Sequence, residues 1–109
     1  MMDTNETATA SVRKITLDFD VVVGEKVAHA AGTEIGVRKP AAGELRGLQI
    51  MALGQLDYNQ LEQLLPRITM PTVHKHEIAA MDPADFGQLA AEVMDFLLPK
   101  AAKAASLGA

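Results

Sequence analysis

Apolar and polar positions alternate along the first half of this sequence. Between residues 14 and 23 nearly every second position is apolar, and most positions between them are charged or polar. A period of two is typical of a strand with one buried face. The apolar positions are Ile15, Leu17, Phe19, Val21 and Val23. The pattern therefore predicts one strand over this stretch, ending at the Gly24-Glu25 turn.

A second alternation follows at Ile35 and Val37, which lie between charged residues. It predicts another strand, and Pro40 ends it because proline has no N–H to give to a ladder. The segment between these strands, 26–30 (KVAHA), is either a short middle strand or part of a long loop. The sheet is thus predicted to be small and antiparallel, a β-hairpin or a three-stranded meander.

After Pro40 the apolar spacing changes to three and four residues, which indicates helices. Helices are predicted over 44–53, from Asp57 to about Leu65, over 73–80, and in a last segment near the end of the chain. Pro66 is expected to kink or stop the second of them, because it removes the hydrogen bond to the carbonyl of Glu62.

The last helix has the clearest start signals. Asp82 is placed as its N-cap, Pro83 as its first residue, and Asp85 as part of an acidic first turn. Its predicted buried stripe consists of Phe86, Leu89, Ala90, Val93 and Leu97. Its predicted opposite polar face consists of Gln88, Glu92 and Asp95. Pro99 is expected to end it.

Strands followed by three to four helices predict an α+β fold. Residues 12–98 are expected to form a single domain. The polar, acidic segment 1–11 is predicted to be a disordered arm, and the alanine-rich segment 99–109 a flexible tail.

Composition and charge exclude several classes of function. The chain has no cysteine, so disulfide and thiolate chemistry are absent, which fits a cytoplasmic protein. A net charge of −4 disfavours nucleic acid as a partner, because phosphate binding needs clustered Lys and Arg. No apolar run approaches the roughly 20 residues that span a bilayer, so no membrane partner is expected.

The sequence carries no recognisable catalytic motif. It has no nucleophile elbow and no phosphate-binding glycine loop. His74 and His76 lack a further metal ligand at workable spacing and are predicted to lie at a solvated helix start. His29 stands alone and is predicted to occupy a turn or an edge strand. We therefore predict no enzymatic activity, no cofactor and no metal.

Four segments together resemble a known family. In order along the chain they are KITLDF, VRKPAAGELRG, LLPRIT and MDPADFGQLAAEVMDFL. Their order and spacing resemble the tail assembly chaperones of contractile-tailed, Mu-like phages and prophages, over about residues 13 to 98. The chain departs from that family at Ala41, where a capping threonine is common, and at Glu44, where aspartate is usual.

The resemblance implies a function without catalysis. Such chaperones are thought to hold the tape-measure protein soluble until tail-tube subunits polymerise around it, and to be absent from the mature virion. Many are made in a short form and a longer, frameshifted form. The resemblance thus implies the tape-measure protein as a partner in the host cytoplasm. A longer form of the same chain and the tube subunits are further partners to consider.

A chaperone of this kind needs an adaptable apolar surface, which flexible methionine side chains can provide. Met51, Met70, Met81 and Met94 lie in the helical half. The candidate partner-binding residues are Arg38, Arg46, Met51, Met70 and Met94.

Two other classes remain open from the sequence. One is a small transcriptional regulator or antitoxin, which would need a basic face. The other is a minor structural tail protein that stays in the virion. Neighbouring genes distinguish these classes, because a tape-measure gene downstream favours the chaperone and a toxin gene favours the antitoxin.

Overall fold

One hairpin nested inside another forms the first half of the fold. The computed structural model describes residues 12–98; the predicted arm and tail lie outside these residues. The strands are β1 (Val12–Thr16), β2 (Val21–Val23), β3 (Lys26–His29), β4 (Glu34–Arg38) and β5 (Thr69–Met70). β1 pairs antiparallel with β4, with Ile15 opposite Ile35, and β2 pairs antiparallel with β3.

The sheet topology is the predicted β-hairpin with a second hairpin inside it, and it has one further strand. The short middle strand exists as β3, but it pairs only with β2, so the strands do not form a meander. β5 adds to the free side of β4 and gives the order β1-β4-β5. β5 has only two residues and depends on a long-range partner, so no local pattern could predict it.

The single strand predicted over 14–23 is wrong, because the chain bends between β1 and β2. Leu17 and Val21 are buried as the alternation predicts, but Phe19 lies at the bend and is 49% exposed. The backbone N–H groups of Asp18 and Phe19 donate to the carboxylate of Asp85 instead of to a strand. A side chain distant in sequence thus interrupts a local β pattern.

The second half is helical, which confirms the α+β prediction. A 3-10 helix spans Ala42–Leu45, and the α-helices are α1 (Ile50–Gly54), α2 (Tyr58–Ile68), α3 (Lys75–Ala80) and α4 (Pro83–Leu97). The prediction of one continuous helix over 44–53 is wrong. Gly47 has a φ of +81°, a left-handed conformation that glycine adopts easily, and it separates the 3-10 helix from α1.

Of the two effects predicted for Pro66, a kink or a stop near Leu65, the stop is wrong, because α2 continues through Pro66 to Ile68. Its buried face consists of Leu61, Leu64, Leu65 and Ile68. In proteins, helical stability comes mostly from packing of such a face. The burial of Ile68 after the proline therefore outweighs the lost hydrogen bond.

The start of α4 is confirmed. Asp82 caps it by accepting a hydrogen bond from the Ala84 N–H at 2.8 Å, and Pro83 is its first residue. Leu89, Ala90 and Val93 are buried as predicted. Phe86 and Leu97 are only partly buried, and Phe96 is buried instead.

The predicted polar face of α4 is not simply solvated, because it contacts β1. The Gln88 amide donates to the Thr16 carbonyl at 3.0 Å. The Arg13 guanidinium lies 2.9 Å from Asp95 and 3.4 Å from Glu92. These polar contacts fix α4 against the first strand.

The buried apolar side chains of residues 12–98 form one cluster between the sheet and the helices. β1 and β4 contribute Ile15, Ile35 and Val37, and the helices contribute the leucines of α2 and α4. The division into arm, single domain and tail stays a prediction.

Candidate partner-binding surfaces

The turn from β4 to the 3-10 helix is held by an ion pair. The Arg38 guanidinium donates to both carboxylate oxygens of Glu44, with the Nη1–Oε1 distance at 2.6 Å. Glu44 Oε1 also accepts the Ala41 N–H at 2.9 Å. The hydrogen bonds from Arg38 and then from Ala41 lower the pKa of Glu44 to about 2. Glu44 therefore satisfies the backbone N–H of Ala41 at the start of the 3-10 helix, while Ala41 has no side-chain acceptor of its own for the first turn.

Arg67 completes this junction, and sequence reasoning missed it. Its Nη1 donates to the carbonyls of Glu44 at 2.7 Å and Arg46 at 3.1 Å. Its own carbonyl accepts from Arg38 at 2.9 Å. Arg67 forms no salt bridge with any carboxylate between residues 12 and 98, but its positive charge acts on nearby Glu44 and helps to lower the pKa of that carboxyl group.

A hollow of about 500 Å³ lies on the outer face of the sheet beside this junction. We call it the Gly36 groove and define it by Val12, Gly36, Arg38, Arg67 and Met70, which are among its lining residues. Gly36 lies in the middle of β4, between two residues that are fully buried in the core, so its position faces outward.

Glycine keeps the floor of this groove open. A Cβ at Gly36 would lie 3.3 Å from the Met70 carbonyl oxygen and 3.7 Å from Val12 Cγ1. Glycine within a strand often marks a close approach of another backbone or a ligand. Here β5 makes that approach, and the missing side chain leaves room above it.

A separate apolar surface lies around α1. We call it the α1 patch and define it by Ile50, Met51, Leu56 and Tyr58, all exposed. Ile50 is 60% exposed and Met51 79%. Leu56 has a φ of 59°, which costs energy for a residue with a side chain at this helix end, where glycine is usual. Large apolar side chains displayed in this way are typical of an interaction site.

The five candidate residues predicted from the sequence fall on different parts of the molecule. Arg38 and Met70 meet in the Gly36 groove, and Met70 is 77% exposed. Met51 belongs to the α1 patch. Arg46 is exposed on the turn before α1, and Met94 is partly buried on α4. Their role in binding stays a prediction, while Met81 is buried in the core.

His29 lies at the end of the edge strand β3, as predicted, and it also has a partner on a helix. Its Nε2 lies 2.9 Å from Glu77 Oε1, which joins β3 to α3. Burial acts to raise the pKa of Glu77, but hydrogen bonds from the His74 N–H and from His29 outweigh it and lower that pKa. Nothing in residues 12–98 brings three or more His, Cys, Asp or Glu side chains together for a metal ion.

Asp85 makes long-range hydrogen bonds that the sequence pattern did not predict. The sequence analysis assigns it only to the acidic first turn of α4, yet its side chain is fully buried. One oxygen accepts the Asp18 N–H at 2.9 Å and the Gln88 amide at 3.0 Å, and the other accepts the Phe19 N–H at 3.0 Å. Asp85 thereby fixes the bend that exposes Phe19.

No helix in the described part of the chain is long and apolar enough to cross a membrane.

Comparison with known proteins places this architecture in a family. A family model described as "Phage tail assembly chaperone proteins, E, or 41 or 14" matches residues 14–98. Tail assembly protein E of Escherichia phage P2 is 38% identical over 85 residues, which cover 78% of this chain and 89% of that protein. Tail assembly protein E′ of the same phage is 37% identical over 84 residues, which cover 77% of this chain and 56% of E′. No solved structure matches.

The matched region includes nearly every strand and helix that forms the core, and the two phage relatives carry tail assembly in their names. The resemblance seen in the four sequence segments is thereby confirmed. This chain belongs to the phage tail assembly chaperone family.

Proposed function

We propose that this protein binds the tape-measure protein during tail assembly and keeps it soluble, without catalysis, in the host cytoplasm. Family membership supports a role in tail assembly. The observation that carries the proposal is the α1 patch, where Ile50 and Met51 project from a short helix into solvent. Such side chains suit the apolar face of a client helix.

The binding is weak and reversible. The patch is small, and the affinity of a small interface is limited because association costs freedom of motion. Methionine adapts its shape to different apolar partners, so one patch can hold several segments of a long client. Several copies act on each client, and tail-tube subunits displace them as the tube forms.

The direct test is co-expression of the tape-measure protein of the same phage or prophage with and without this chain. We expect more soluble client with the chain, and recovery of both in a pull-down. Equal solubility in both cultures, with no co-purification, would contradict the proposal.

Purified tails provide the second readout. We expect mass spectrometry to find the tape-measure protein in them and to find this chain absent. Recovery of this chain at fixed stoichiometry would instead make it a minor structural protein of the tail.

A longer form of this chain is part of the proposal. The phage relative E′ aligns over only 56% of its own length, so it combines a domain of this kind with further sequence. We expect a second, longer product from the native gene region, produced by frameshifting, that peptides of this chain identify. Expression of the intact region that yields the short product alone would contradict this part.

A further inference from the structure

We infer that the α1 patch selects an amphipathic client helix that carries lysine or arginine beside its apolar stripe, and that Glu62 receives one of these cations. The inference rests on the proposed function, because it names the chemistry of the client at the same surface. Three features of that surface carry it: a carboxylate held in place, an exposed aromatic ring, and the absence of positive charge around them.

The carboxylate is that of Glu62 on α2. Glu62 follows Tyr58 by four residues, so the two side chains lie on the same face of the helix. The Tyr58 hydroxyl donates to Glu62 Oε2 at 2.8 Å, which holds the carboxylate beside the α1 patch, to which Tyr58 belongs. No side-chain contact within residues 12–98 uses Glu62 Oε1. This oxygen is therefore available to a cation from a partner.

The aromatic ring is that of Tyr58. It packs against Phe86 of α4, with the ring centroids 5.4 Å apart and the planes tilted by 41°. Tyr58 is nevertheless 40% exposed, so the ring is supported by Phe86 and still open to solvent. A cation near the face of an aromatic ring is attracted to it. A lysine or arginine that contacts Glu62 has this ring within reach as well.

Positive charge is absent from the neighbouring chain. The stretch 47–66, which contains α1 and most of α2, has no Lys, Arg or His but includes Asp57 and Glu62. The helix α4, which contacts α1, has no basic residue either. Arg46 precedes the stretch, but its Nη2 would lie 4.0 Å from a Cβ at Gly43, so it points back over the 3-10 helix. The surface therefore repels an acidic helix and attracts a basic one.

An amphipathic helix can satisfy both parts of this surface at once. Its apolar stripe covers Ile50 and Met51, which are the most exposed side chains of the α1 patch. Long Lys or Arg side chains beside the stripe extend along the apolar surface and reach Glu62 with their charged ends. An exposed ion pair adds little affinity, so the apolar contact holds the client while the charge selects which segments bind.

The test uses two synthetic helical peptides that share one leucine stripe. One peptide has lysine beside the stripe and the other has glutamate. Fluorescence anisotropy measures the affinity of the full chain for each peptide. Glu62→Gln still accepts the Tyr58 hydroxyl but carries no charge, and Glu62→Lys reverses the charge. Glu25→Gln is the matched control, because Glu25 is exposed on the turn between β2 and β3 and its loss changes the net charge equally.

We expect the wild-type chain to bind the lysine peptide at least about fivefold more tightly than the glutamate peptide at low salt. The difference should shrink in about 0.5 M salt, which screens exposed charges. Glu62→Gln should bind the lysine peptide about two- to fivefold more weakly, and Glu25→Gln should bind it as the wild type does. Glu62→Lys should prefer the glutamate peptide. Thermal unfolding checks that each variant is folded.

Two results would overturn the inference. They are equal affinity of the wild-type chain for the two peptides, and equal loss of affinity in Glu62→Gln and Glu25→Gln, which would mean that only net charge acts. Met51→Ser separates this failure from that of the proposed function. If it weakens binding of both peptides while the wild type does not discriminate, the α1 patch binds apolar helices and the charge selection alone is wrong. A wild-type chain that binds neither peptide would contradict both.

Discussion

At the scale of single residues, one buried carboxylate connects the two halves of the fold. Asp85 lies on the first turn of α4, and its oxygens accept two N–H groups from the bend after β1. A buried carboxylate is stable only when its oxygens are hydrogen-bonded. Asp85 meets this condition with three donors, one of them from Gln88 on its own helix.

We predict that Asp85→Asn lowers the free energy of unfolding by about 2–3 kcal/mol, because an amide offers one acceptor oxygen where the carboxylate offers two. Asp82→Asn is the matched control on the same turn. It should change stability by less than about 0.5 kcal/mol, since asparagine caps helices as well as aspartate does. Urea denaturation measures both, and equal losses would mean that the bend does not depend on Asp85.

Glu44 gives a prediction on pH. Its pKa in the folded protein is lowered to about 2 from an ordinary value of 4.5, mainly by Arg38. A lowered folded-state pKa means that the ion pair stabilises the fold above pH 4.5, and that this stabilisation is lost as pH falls from 4.5 to about 2.

An NMR titration of the Glu44 carboxyl group measures this pKa directly. In Arg38→Gln we expect the pKa to rise toward 4.5, because the largest cause of the shift is removed. Lys39→Gln removes the same charge one residue away and should have a much smaller effect. A Glu44 that titrates near 4.5 in the wild-type protein would contradict the contact.

At the scale of elements, the capped helix starts at Asp57 and Asp82 were predictable and the long-range strand contacts were not. The capping residue Asp82 and the proline that follows it predicted the start of α4, and the structure confirms that start. The bend at Phe19 depends on Asp85, 66 residues away in the chain. No periodicity within a short window can encode such a partner, so the sequence pattern predicted a continuous strand.

At Pro66, burial of the apolar face of α2 outweighs the low helix propensity of proline. We predict that Pro66→Ala raises the free energy of unfolding by about 1 kcal/mol. Alanine restores the N–H within α2, and this gain exceeds the loss of chain stiffness in the unfolded state. Pro83→Ala is the control at the first residue of α4, where the missing N–H costs nothing, and it should not stabilise. Loss of stability in both variants would show that α2 requires its proline.

At the scale of the whole molecule, exposed apolar side chains lie on two separate surfaces. The α1 patch and the Gly36 groove share no residue. The candidate residues Met51 and Met70, which sequence reasoning treated as one group, thereby lie on separate surfaces.

Sequence alone predicted the family, the fold class and most helix starts, because those depend on local spacing and on order along the chain. It could not separate the exposed methionines from the buried Met81, since exposure depends on packing between elements distant in sequence. It also missed Arg67, whose two carbonyl partners lie more than 20 residues earlier in the chain.

The most direct test of client binding compares three chains in one pull-down with the co-expressed tape-measure protein. The chains are wild type, Met51→Asp and Met70→Asp, and the amount of soluble client recovered per chain is measured. We predict that Met51→Asp loses most of the client, because a charge in the α1 patch opposes apolar contact, while Met70→Asp still binds it. Equal recovery with Met51→Asp and wild type would contradict the assignment of the α1 patch as the client-binding surface.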